Sequence, residues 1–163
     1  MSDGTTKRQM ALDLVNRGLA AQQIGDLQGA LALYRESIAV EPTAEAHTFI
    51  GWVLSFDDNQ LEEAIDQCRE AIAVDPDFGN PYNDIGVYLM RLGRFDEAVP
   101  WLERAKAASR YEPRHFPYLN LGNIYLLRGH LGAAIREFEA GLEHAPDDAH
   151  LNALLAQVRS RLN

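Results

Sequence analysis

One spacing constrains this chain more than any single residue does. Ala30, Ala64, Ala98 and Ala134 stand 34, 34 and 36 residues apart, in the segments GDLQGAL, NQLEEAI, GRFDEAV and GHLGAAI. A period in this range marks a repeat architecture, in which each unit buries its apolar face only against its neighbours. A stack of such units is a surface for holding another molecule, and the period therefore bears on function as well as on fold.

The positions around each alanine repeat with it. Four residues later come Tyr34, Cys68, Leu102 and Phe138; three further on come the small residues Ser37, Ala71, Ala105 and Gly141. Large and small positions in register predict interdigitated helices, with the large residues filling the space between units. Upstream, a glycine recurs inside the preceding helical stretch: Gly18, Gly51, Gly86 and Gly122. Glycine within a helix costs about 1 kcal/mol relative to alanine. Four such glycines predict close helix approach.

Apolar residues recur at three- and four-residue steps, as in Leu12, Val15 and Leu19 or Ile124, Leu127 and Leu131, so helix is expected almost throughout from Gln9. Pro42, Pro76, Pro113 and Pro146 close successive two-helix units, because proline disfavours helix at and before its position. Gly25, Gly93 and Gly129 supply the turn inside a unit. The second unit has DDNQ there, and Asn59 is expected to take the left-handed conformation at higher cost. The third unit carries about three extra residues, Ser109–Tyr111, before Pro113.

These features resemble the tetratricopeptide repeat family over roughly residues 10–163. The clearest unit is Tyr118–Asp147, YLNLGNIYLLRGHLGAAIREFEAGLEHAPD, and YNDIGVYLMRLGRFDEAVPWLERA is nearly as good. Unit one departs at Arg17, where the family prefers an apolar residue. The resemblance implies an all-α, right-handed superhelical solenoid of four helix–turn–helix units and a C-terminal capping helix. The expected boundaries are a flexible tail over 1–8 and a single domain over 9–163. Its units span about 11–43, 44–78, 79–114 and 115–148, and the capping helix about 149–162, with Arg159 and Arg161 on its polar outer face.

The resemblance also implies a groove lined by the first helix of each unit, in which ligand peptides lie. Counting from each unit's glycine places Asn16, Phe49, Trp52, Phe56, Asn83, Asp84, Val87, Met90, Arg91, Asn120 and Asn123 along it. Phe49, Trp52 and Phe56 form an aromatic stripe, the residue type that anchors interfaces. Phe49 is expected in the groove; Trp52 and Phe56 suit either groove or core. The asparagines can donate and accept, and so could pair with a peptide backbone or serve as solvated or capping groups. A subset of the family clamps acidic chaperone C-termini with lysine, arginine and asparagine. Here Val15, Leu19, Phe49, Asn80 and Asp84 stand at those positions, and Phe116 and Leu119 replace lysines in unit four, so a chaperone tail is not the expected partner.

Composition narrows the remaining classes. The formal net charge is -9 and no basic run occurs, which argues against nucleic acid. The acidic pairs sit where helices begin and suit solubility and capping, or attraction of a basic partner. The single cysteine, Cys68, excludes an intrachain disulfide and is expected as a small buried hydrophobe. No signal-like or membrane-spanning apolar run occurs, so a cytoplasmic location is expected without a membrane partner. G-x-S-x-G, H-E-x-x-H and Walker motifs are missing, and the five histidines are scattered. Neither catalysis nor a metal or other cofactor is expected. The expected function is a non-catalytic interaction module, an adaptor or scaffold with a protein or peptide partner. The alternatives are a self-assembling homo-oligomeric scaffold and a small acidic secretion-type chaperone.

Overall fold

The computed structural model describes residues 2–163, with side chains from Thr6 onward. Among the described residues the chain forms nine α-helices: α1 Ser2–Gln23, α2 Leu27–Val40, α3 Ala44–Leu54, α4 Leu61–Val74, α5 Asn80–Arg91, α6 Phe95–Ala107, α7 Phe116–Leu127, α8 Leu131–His144 and α9 Ala149–Ser160. They pair α1 with α2, α3 with α4, α5 with α6 and α7 with α8. Each pair stacks on the next, and α9 packs on α8. This is the four-unit helical solenoid with a terminal helix that the resemblance implies. Helix was expected from Gln9; α1 instead starts at Ser2, so positions 2–8 are helical. Met1 lies outside the described residues.

Local chemistry sets the breaks. Gly25, Gly93 and Gly129 turn each unit at φ of +83°, +75° and +74°, where a β-carbon would be strained. Unit two solves the same turn differently from expectation. No described residue other than glycine has positive φ, Asn59 included. A 3₁₀ turn, Asp58–Gln60, replaces the left-handed residue, and the Asp57 carboxylate accepts from the Asn59 backbone N–H at 2.9 Å. Between units, Thr43 and Asp148 cap α3 and α9 by accepting from Ala46 N and Leu151 N. Pro81 and Pro117 sit in the first turns of α5 and α7, where a missing N–H costs nothing.

The recurring glycines do bring helices together, but within a unit. A β-carbon on Gly18 would lie 2.4 Å from the Tyr34 ring, on Gly86 2.5 Å from Leu102 and on Gly122 2.3 Å from the Phe138 ring. On Gly51 it would meet the Ala64 carbonyl oxygen at 3.0 Å and Cys68 Sγ at 3.2 Å. The large residue of the second helix thus roofs the glycine of its own first helix, and Phe138 also fills the space towards the next element as expected, packing with Leu151, Leu155 and Val158 of α9. Tyr34 does both, since its ring also packs on Phe49 of unit two with centroids 5.5 Å apart. Cys68 is fully buried, and burial pushes its thiol well above the ordinary range.

The third unit's extra residues form a strap. Arg110 N donates to Asp77 O and Gly79 N donates to Arg110 O, each at 2.9 Å, tying the strap to the turn between units two and three. The Arg110 guanidinium lies over the Phe78 ring and reaches Asp75 at 2.5 Å and Glu45 at 3.0 Å. Behind it Tyr111 is buried against Gly79, whose missing side chain makes the room. Arg114 donates to the carbonyls of Lys106 and Ala108 and so closes the end of α6.

Candidate functional site

The first helices of successive units line one side of the stack. There α3, α5 and α7, with Gln22 of α1 and the strap, enclose a groove of about 430 Å³. The strap supplies Tyr111 and Pro113 at one end, and Phe116 and Leu119 of α7 flank them. Phe49, Trp52, Asn83, Asp84, Val87 and Asn120, six of the residues expected from the sequence, come together here. A hollow further along shares Trp52, Asp84 and Val87 and adds Phe56 and Arg91.

The rest of the expected set divides. Asn123 lies in a separate hollow with Leu126, Leu127 and Arg161. Asn16 is exposed on α1 and lines neither hollow. Met90 packs against the core and lines neither hollow. Trp52 and Phe56, open between groove and core, are 36% and 60% exposed and stack edge to face at 4.5 Å. Phe49 does double duty, lining the groove while packing on the core through Tyr34.

The polar groups are less free than their types suggest. Asn120 Nδ2 donates to Asn83 Oδ1 at 2.9 Å, so the two asparagines hold each other across units three and four. Asn83 is buried. Asn80 Oδ1 is buried without a hydrogen-bond partner, while its Nδ2 reaches Glu112 O at 3.5 Å. A buried acceptor left unpaired costs about 1–3 kcal/mol, a cost relieved only where a small side-chain shift exposes Asn80 Oδ1 to a donor. Asp84 is half-buried. Burial raises its pKa to about 7, against a smaller lowering by a hydrogen bond from Asn83. Its charge in turn adds to the burial that raises Tyr88 and Tyr111.

Counting along the first helices missed the strap residues Tyr111 and Pro113 as groove residues. The insertion that breaks the period was the available signal for Tyr111 and Pro113. Among the described residues, no group of three or more His, Cys, Asp or Glu could hold a metal ion, and no helix is long and apolar enough to cross a membrane.

Comparison with known proteins agrees with this fold. Tetratricopeptide repeat models match residues 15–81 and 77–147, which together run through all four units. The chain belongs to the tetratricopeptide repeat family. A curated relative, small glutamine-rich tetratricopeptide repeat-containing protein 2 of Mycosarcoma maydis, is 31% identical over 85 residues. That match covers 52% of this chain, which spans only 23% of the relative's length. Among solved structures, pilF of Pseudomonas aeruginosa superposes with a TM-score of 0.85 at 23% identity, over 96% of this chain and 70% of that one. YrrB, described as a tetratricopeptide repeat protein with an unusual peptide-binding site, gives 0.67 at 22% identity, over 93% and 77%. PilW, a type IV pilus biogenesis factor, gives 0.77 at 20% identity, over 91% and 71%. At these identities the likeness is one of fold. Such folds are, in general, interaction modules without catalytic activity.

Proposed function

We propose that this repeat protein is a non-catalytic adaptor, residing in the cytoplasm, that holds an extended segment of a partner protein in the groove of α3, α5 and α7. The observation that carries the reading is the union of open aromatic surface with unspent polar capacity. Trp52 and Phe116 remain 36% and 39% exposed at the groove that also holds the unpaired Asn80 oxygen. Exposed aromatics beside buried, incompletely paired polar groups are what an interface hot spot needs. Peptide binding by YrrB supports the reading by analogy of fold. The groove lining contains no lysine or arginine, which fits poorly with an acidic chaperone tail.

The test is capture from native lysate, followed by titration of the captured segment against wild type and a Trp52→Ala/Phe116→Ala variant. Both residues are exposed enough for the fold to survive, which circular dichroism checks. Phe49→Ala or Asn120→Ala would instead disturb the Tyr34 packing or the Asn83 pair. The expected result is a Kd at least about tenfold weaker for the variant, since each anchor is worth more than about 1 kcal/mol. Equal affinity, or capture of nothing but this chain itself, would move the binding surface elsewhere.

A further inference from the structure

Asp84 is the odd residue of the groove. It lines both adjoining hollows and so stands where they meet. No ion pair engages it: Arg91, the one cation lining either hollow among the described residues, is bound to Asp58 at 2.5 Å. The other titratable groups near it are neutral, namely Cys68 from α4, Tyr88 from α5 itself and Tyr111 from the strap. The surfaces facing it from α3 and α7 are Phe49, Trp52, Phe116, Leu119 and Asn120, and α1 contributes the neutral Gln22. An acid set among aromatic faces with no counter-charge is an incomplete arrangement. Its ionised form lacks a counter-charge and part of its water, and keeps only the hydrogen bond from Asn83.

We propose that Asp84 reads the bound segment by taking one of its basic side chains, arginine in preference to lysine. The inference rests on the groove-binding reading and specifies its chemistry. A guanidinium is weakly hydrated and planar, so it can lie against Trp52 or Phe116 while donating to the carboxylate in a bidentate pair. The net charge of -9 adds long-range attraction for such a segment. The arriving cation favours the ionised acid. Asp84 is therefore protonated in part when the groove is empty near neutral pH and ionised when it is filled.

A phage-displayed library of random peptides about nine residues long, panned near pH 8, tests this. Targets are wild type, Asp84→Asn and Trp52→Ala/Phe116→Ala, each shown to be folded. The expected wild-type pool carries arginine or lysine at one fixed position, and the Asp84→Asn pool does not. In the best peptide made synthetically, replacing that arginine by neutral, near-isosteric citrulline should weaken wild-type binding by about tenfold. The same replacement should leave Asp84→Asn binding nearly unchanged. Wild-type affinity for the arginine peptide should also fall several-fold between about pH 8 and pH 5.5, and that of Asp84→Asn should not. A wild-type pool that depends on Trp52 and Phe116 yet has no fixed basic position would overturn the role of Asp84 and leave the groove reading standing. Pools identical between wild type and the aromatic variant, or no enrichment at all, would overturn both.

Discussion

Phe138→Ala is expected to destabilise the protein by about 3–5 kcal/mol, read as a lower urea midpoint by circular dichroism. The ring is fully buried where α7, α8 and α9 meet, among Ala134, Leu151, Leu155 and Val158. It also roofs Gly122, and its removal opens a cavity that neighbouring helices cannot collapse into without losing their own packing. The same contact makes Gly122→Ala unfavourable by about 1–3 kcal/mol, because its β-carbon would enter a ring with nowhere to go. The gain in helix propensity, about 1 kcal/mol, is too small to offset that. Gly132, exposed on α8 with nothing nearer than 3.7 Å, is the control: alanine there should be neutral or stabilising by up to about 1 kcal/mol. In the double variant Gly122→Ala/Phe138→Ala the added methyl occupies part of the vacated ring volume, so the loss should be clearly less than the sum. Additive losses would mean that the glycine and the ring do not share one packing contact.

Asp84→Asn is expected to stabilise the free protein, and to do so only above mildly acidic pH. The sign follows from the direction of the shift. The folded acid holds its proton up to about pH 7, whereas an unfolded aspartate releases it near 3.8. Between those values the folded state binds more protons than the unfolded one, so stability falls as pH rises and the penalty is complete above about 7. Three pKa units correspond to on the order of 4 kcal/mol. The groove is open to water on one side, and about half of that is the expected effect. Asparagine keeps the shape without the charge, so its Tm should exceed wild type by about 4–8 °C near pH 8 and match it near pH 4. Equal melting at both pH values would show that the carboxylate is well solvated. Destabilisation at pH 8 would show that a counter-charge holds it already. The penalty is a strain that a cationic ligand relieves, which is how a binding site differs from a merely stable surface.

The repeat made the fold legible. Its prolines and turn glycines marked the element boundaries, and the glycines inside the first helices marked close helix approach, because those positions obey strong local rules. The groove was legible for the same reason at Phe49, Trp52, Asn83, Asp84, Val87 and Asn120, whose register follows from the helix period. What escaped was whatever departs from the period or depends on pairing. The strap is an insertion, so counting could not show that Tyr111 folds back onto Gly79 and walls the groove. Asn83 and Asn120 lie 37 positions apart, and their mutual hydrogen bond is a property of the stacked units. Asn59 shows the opposite limit: local propensity pointed to a left-handed residue, but Asp57 caps a 3₁₀ turn there instead.

The most direct measurement is amide chemical-shift mapping of the isotope-labelled protein titrated with the captured partner's segment. The account predicts perturbations at Trp52, including its indole N–H, and at Asn80, Asp84, Val87, Phe116 and Asn120, with those of α2, α4, α6 and α8 unmoved. Perturbations confined to those second helices, with Trp52 and Asp84 silent, would contradict it.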